Sequence, residues 1–287
     1  PIPEIFVAQK KDGKWDIVDG VQRISTLLQL VGELPDHDPL VLEATKYLPS
    51  LEGMTWETMP ADAKRLLKRA RIGVNIILTD NSIESQYELF QRLNTGGVSL
   101  ESQEIRNCLI IMLNENYYNK INELKNYENF KKCLTITEDK YKVEYHMELI
   151  VRYLVAKRNK VKYEDYNVSS EKLADFLDHE IYLLISDSDF NIDEEIELFK
   201  KTFDLLAEKM GADTFKKYNL SKHCFEGAFS NASYEAILVG VAENLENLRG
   251  KDIKRIIEKM YSEEKFLKFS ARGIKAIGRF QGLNEFS

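Results

Sequence analysis

Cysteine is scarce in this chain of 287 residues: only Cys108, Cys133 and Cys224 are present. The number is odd and no C-x-x-C spacing occurs, which argues for reduced thiols in a cytoplasmic protein and against a disulfide framework or a structural zinc. Histidine is nearly as rare. His37, His146, His179 and His223 form no H-x-x-H or H-x-x-x-H pair, and the adjacent His223 and Cys224 have a poor spacing for metal ligands. No apolar run approaches ~20 residues, which excludes a transmembrane helix, and no signal peptide or lipidation motif is found. P-loop, G-x-S-x-G and H-E-x-x-H motifs are also missing. Positive charge is in deficit, with 40 Lys and Arg against 47 Asp and Glu for a formal charge of −7. A protein gripping nucleic acid with its whole surface would be basic, so any DNA contact is expected from a local patch or another subunit. Proline stops at Pro60.

What is present is a globular balance, 44% apolar and 30% charged, in a chain long enough for one large domain or two ordinary ones. Its most informative opening stretch is WDIVDGVQRISTLLQLV, residues 15–31. Trp15 to Val18 read as a short strand and Asp19-Gly20 as a turn. From Val21 the apolar residues Ile24, Leu27, Leu28 and Val31 fall at helical spacing. A strand therefore feeds a helix through a tight turn that carries Asp19, Gln22 and Arg23. Free N–H groups, the positive end of the helix dipole and an arginine fork suit an anion there, and Gly20 lets backbone approach a ligand. The alternative is plainer: Asp19 caps the helix and Arg23 is its ion-pair partner.

Before this stretch, Ile5 to Ala8 predict a strand antiparallel to it across the Asp12-Gly13 turn. Residues 32–60 are loop-rich, with a short strand expected at Leu40–Leu42. Asp62 to Arg71 predict a helix on which Lys64, Arg65, Lys68 and Arg69 share a face, as either a solvated stripe or a phosphate-contacting one. Ile72 to Leu78 form a third strand. Asn81 to Leu93 predict a helix, broken by Asn94-Thr95-Gly96-Gly97. The next helix is expected to be capped by Ser99, with Glu101 and Glu104 in its first turn and Ile105, Cys108, Leu109 and Met112 on its core face. Beyond residue 115 the pattern is helical throughout, at Tyr141–Lys157, Ser170–Ile185, Asp193–Met210, Ala232–Leu248 and Asp252–Tyr261. Ser170 and Asp193 are read as caps and Gly211 as a stop. About five to eight helices are expected at typical lengths. Tyr117, Tyr118, Tyr127, Tyr141 and Tyr145 alternate with lysines, as base-stacking groups or as amphipathic tyrosines at helix edges.

Residues 90–107, FQRLNTGGVSLESQEIRN, match the pattern F-x-R-x-N-x-x-G-x-x-L-x-x-x-E-[IL]-x-N at Phe90, Arg92, Asn94, Gly97, Leu100, Glu104, Ile105 and Asn107. With IVDGVQRISTL, where Val21 stands at the usual first glutamine of D-G-Q-Q-R-L-x-T-L, they resemble the N-terminal domain of GmrSD-type restriction proteins. That family lies in the ParB/sulfiredoxin-like superfamily, and its members often serve anti-phage systems. The resemblance implies an α+β chain: a ParB-like nucleotide-binding domain with a small mixed sheet over residues 1–115, lacking a preceding segment that the family usually carries, then an all-α domain over 116–287.

It also implies a function. The expected protein is a nucleotide-binding, NTP-hydrolysing sensor of a bacterial anti-phage system. Gly20, Gly96 and Gly97 would supply amides to phosphates, and Arg23 and Arg92 charge-assisted contacts. Asp19 would hold magnesium or orient water, Gln22 would position that water, and Asn94 and Glu104 would complete the pocket. Arg106 and Asn107 are read as bracing the two motifs. The alternative is a non-catalytic subunit that binds DNA or senses modified DNA, through Lys64, Arg65, Lys68 and Arg69, and docks a partner nuclease. The His-Asn-His nuclease domain of larger members has no counterpart here, so cleavage is expected from a partner, and the chain is expected to form a homo-oligomer. A sulfiredoxin-like redox role is disfavoured, because no cysteine lies in either motif's turn.

Overall fold

The computed structural model describes residues 4–9, 13–35, 37–78 and 101–286. The chain divides into two compact units, residues 1–99 and 100–287. It is α+β, with a small mixed sheet in the first unit and a helix-rich second unit that holds one short hairpin.

In the first unit, β1 (Ile5–Gln9) lies between β2 (Trp15–Asp19) and β3 (Val74–Leu78). β1 is antiparallel to β2, with a bulge between Phe6 and Val7, and parallel to β3, with Val7 opposite Ile76. The central position buries Ile5 and Val7, which alternate onto one face of the strand. A helix, α1 (Val21–Val31), follows β2 and ends in the left-handed Gly32, whose N–H bonds the Gln29 and Leu28 carbonyls. Residues 40–42, expected as a strand, form none. The Leu42 N–H donates to the Met54 carbonyl and its own carbonyl accepts from Gly53, both at 2.8 Å, a single closed loop rather than a ladder. A second helix, α2 (Ala61–Arg69), starts at Pro60, whose fixed φ suits a helix entry.

Among the described residues, the second unit contains twelve α-helices: α3 (Ser102–Leu113), α4 (Glu115–Leu124), α5 (Glu128–Cys133), α6 (Glu138–Lys142), α7 (Tyr145–Arg158), α8 (Leu173–Ile185), α9 (Ile192–Lys209), α10 (Asn231–Glu243), α11 (Leu245–Leu248), α12 (Ile253–Met260), α13 (Glu264–Ser270) and α14 (Ala276–Asn284). A hairpin of β4 (Lys217–Asn219) and β5 (Cys224–Glu226) precedes α10. The number exceeds expectation because long patterns are cut and short helices are added. The pattern at 141–157 breaks at Glu144, which sits at φ 56, and the one at 232–248 breaks at Asn244. Caps also shift. The helix expected from Ser170 starts at Leu173, and Asn191 rather than Asp193 caps α9, its side chain accepting from Asp193 and Glu194 N–H. α7 and α10 are buried on nearly all sides and form the middle of the unit. Beside them Phe130, Phe199 and Phe203 pack edge-on or tilted, with ring centroids 4.6–5.3 Å apart. Tyrosines stay at helix edges: the Tyr127 hydroxyl bonds Asp204 and that of Tyr145 bonds Asn231. These two are structural and not free stacking platforms.

The buried face of α3 is not the one its apolar pattern predicts. Its buried residues are Gln103, Arg106, Leu109 and Ile110. The Arg106 Nε donates to Asp178 of α8 at 2.7 Å and its Nη2 to the Ala174 carbonyl at 3.2 Å. A chain of alternating charges continues from there. Arg106 lies 3.8 Å from Glu148, which pairs with Arg152 at 2.6 Å; Arg152 meets Glu235 at 2.8 Å, and Glu235 meets Arg279 at 2.8 Å. Burial pushes the Glu148 carboxyl up, but Arg152 and Arg106 outweigh it and the pKa falls below its usual value. Five helices are tied by six charges, three of each sign. Replacing Arg106 by Met removes the guanidinium that Asp178 pairs with and leaves Glu148 to Arg152 alone. The second unit should lose roughly 3–5 kcal/mol, read as a lower urea midpoint by far-ultraviolet circular dichroism. Arg106→Lys should recover little of it, since one ammonium cannot reproduce the fork.

Candidate functional site

The stretch singled out in the sequence forms the expected strand, turn and helix. β2 ends at Asp19, whose backbone pairs with Phe6. Gly20 then takes a left-handed conformation, φ 103, and serves as the N-cap of α1. The carbonyl of Gly20 accepts the Ile24 N–H at 3.0 Å, the first bond of the helix. Gly20 has no side chain to offer this end and no acidic residue stands in the first turn; the side chain of Asp19 lies outside what the structure describes. The N-cap position falls on Gly20 rather than on Asp19. First-turn N–H groups and the positive end of the helix dipole there suit an anionic acceptor.

Two side chains beside the turn are well placed. The Arg23 Nη1 donates to the Glu4 backbone carbonyl, tying the first turn of α1 to the start of β1. Glu4 in turn accepts from Asn75 Nδ2 at 2.8 Å on the β3 side, and the Ile5 N–H donates to the Gly73 carbonyl at 2.9 Å. Arg23 is half-buried and Gln22 is exposed. The acceptor on Glu4 is a main-chain oxygen, so no residue type in the sequence announced the strap.

Of the other expected site residues, Arg92, Asn94, Gly96 and Gly97 lie outside the described residues. Glu104 belongs to the second unit and closes a capping box on α3, its Oε2 accepting the Glu101 N–H at 2.8 Å. Ser99, expected to cap this helix, lies outside the described residues, and Glu101 holds the cap position. Arg106 and Asn107, read as a brace between motifs, bond within the second unit: Arg106 as above, and Asn107 Oδ1 with Gln103 Nε2 at 2.8 Å.

The basic face of α2 is partly engaged. Lys64 and Lys68 each place Nζ 5.8 Å from the Trp56 ring centroid. Lys64 also donates to the Glu57 carbonyl at 3.0 Å, and Arg65 pairs with Asp62. Arg69 is exposed. Among the described residues no group of three His, Cys, Asp or Glu is placed to hold a metal ion.

In comparison with known protein families, residues 1–111 fit the family described as GmrSD restriction endonuclease, N-terminal domain. No curated protein and no solved structure matches the chain.

Two outcomes follow from the local geometry. A Cβ on Gly20 would stand 2.4 Å from Ile5 Cγ2, on a backbone that L side chains rarely adopt. Gly20→Ala should cost the first unit roughly 2–4 kcal/mol in strain and overpacking, and adding Ile5→Ala should restore only the packing part in thermal melts. Burial, reinforced by Glu104, pushes the Cys108 thiol up to about 11. Its alkylation by iodoacetamide at pH 8 should run roughly a hundredfold slower than that of free cysteine and quicken as pH rises toward that value, read by mass spectrometry of the Cys108 peptide.

Proposed function

Residues 1–111 belong to the family of GmrSD restriction endonuclease N-terminal domains, and from that premise we propose that this chain is a nucleotide-binding, NTP-hydrolysing regulator in a restriction-type defence system. The observation that supports it is the N-terminus of α1, entered through left-handed Gly20 with Arg23 alongside. Backbone amides there suit phosphate oxygens, and a guanidinium whose position is fixed by the Glu4 carbonyl suits an anion better than a loose one would.

In this reading Gly20, Gly96 and Gly97 present amides, Arg23 and Arg92 bind phosphate, and Asn94 closes over the nucleotide. Gln22 positions water. Glu104 holds the first turn of α3 through its capping box with Glu101. Magnesium would neutralise phosphate charge when bound. Asp19 is the residue to hold it, and a single protein carboxylate beside phosphates and waters is an ordinary set for that ion. DNA cleavage is left to a partner nuclease.

A second reading, a DNA-binding subunit without catalysis, draws on Lys68 and Arg69 of α2, with Trp56 between Lys64 and Lys68. Because Lys64 and Arg65 already have partners, this stripe offers fewer phosphate contacts than its sequence suggests.

Isothermal titration of the full-length protein with ATP and GTP in magnesium decides between them. The proposal expects saturable binding that Arg23→Ala weakens roughly tenfold to a hundredfold, and phosphate release that Asp19→Asn abolishes while binding persists. No heat with either nucleotide, together with DNA retention that is lost on reversing Lys64, Lys68 and Arg69, would establish the second reading instead.

A further inference from the structure

The second unit carries a groove that the nucleotide reading does not use. It lies along α10, α11 and α12 and has a volume of about 480 Å³. Ile237, Gly240 and Val241 form its floor, and Leu248, Ile256 and Met260 its walls. The cause is visible in α12. Its apolar residues Ile253, Ile256, Ile257 and Met260 fall at helical spacing, a stripe wider than the core takes up. Ile253 and Ile257 are buried, whereas Ile256 keeps 42% of its surface exposed.

The rim of the groove is cationic. Lys251 and Lys259 line it against one acid, Glu263, in a stretch, residues 249–279, that holds ten Lys and Arg against four Asp and Glu, a net of +6 in a chain of −7. Local acids do little to offset this. Asp252 is spent capping α12, accepting the Arg255 N–H at 3.1 Å, and Arg249 already pairs with Glu246 at 2.8 Å. Lys251, Lys254 and Lys259 are exposed, and among the described residues none of them forms an ion pair.

An apolar trough beside a helix, edged by lysines, calls for an occupant with apolar side chains on one face and carboxylates on its flanks. We propose that this groove docks an acidic amphipathic α-helix of a partner protein. Such a helix sets side chains at i, i+3 or i+4, and i+7 into the floor, while its acids meet Lys251 and Lys259. Charge complementarity sets the choice of partner and speeds its capture. A phosphodiester backbone would match the lysines but leave Ile256 and Met260 facing solvent. The inference is independent of the nucleotide site and stands or falls without it.

Two synthetic helical peptides of about 18 residues, with the same leucine stripe but glutamates on the flanks of one and lysines on the other, test it by fluorescence anisotropy with the full chain. The acidic peptide should bind at least about tenfold tighter than its basic twin, a difference of about 1.4 kcal/mol. Ile256→Glu should abolish this binding, and the pair Lys251→Glu and Lys259→Glu should invert the preference. All three positions are exposed, so circular dichroism of each variant should match the parent. Equal affinity for the two peptides, or binding unchanged by Ile256→Glu, would overturn the proposal. So would displacement of the acidic peptide by a DNA duplex, which assigns the lysines to phosphates, or self-association of the chain that Ile256→Glu removes, which assigns the groove to a second copy.

Discussion

A guanidinium with none of its surface in water governs how the helical unit is put together. Arg106 is 0% exposed, and a charge so placed is tolerable only if carboxylates and carbonyls from neighbouring elements surround it. Asp178 and the Ala174 carbonyl come from α8, Glu148 from α7 and Gln103 from its own helix. Each carboxylate needs a cation in its turn, which brings in Arg152, then Glu235 of α10 and Arg279 of α14. Apolar attraction is non-directional, whereas each charge in this ion chain meets its partner from a defined turn of the neighbouring helix. The phenylalanine cluster adds attraction without that selectivity.

The first unit has a steric counterpart. Its central strand and the first turn of α1 approach so closely that only glycine fits at position 20, with Ile5 against it, and the Arg23 strap runs between the same two elements. Residues read in the sequence as ligand-binding therefore also hold the scaffold. The two roles are compatible: a phosphate site made of main-chain amides needs those amides held still before the anion arrives.

Much of the framework was legible because it rests on periodicity and turn chemistry. The change of period at Val21, the Asp19-Gly20 turn and the three strands needed no tertiary information. The short helices α4 to α6 were not legible. They occupy residues 115–142, rich in Asn, Lys and Tyr, where propensity is weak and packing decides. Neither was the break at Glu144, where a non-glycine residue adopts φ 56. The inward face of α3 was misjudged for a different reason. Hydropathy assigns arginine to solvent, and nothing local announces that Asp178 waits 72 residues downstream. At the site, Gly20 and Arg23 stood out by their turn and their motif. What Arg23 grips did not, because a backbone oxygen has no letter in a sequence.

The match to the GmrSD restriction endonuclease N-terminal domain family runs to residue 111, yet α3 spans 102–113 and belongs to the second unit. Compactness thus draws its border before this helix, and homology draws its border inside it. An expression fragment cut where the similarity stops would carry away Arg106 and leave its carboxylates in the remaining piece. The excised part would gain a sticky, charged tail, and the remainder would lose the keystone of its ion chain. Anyone dissecting this molecule should cut before Leu100, where the main chain passes from one compact body to the other.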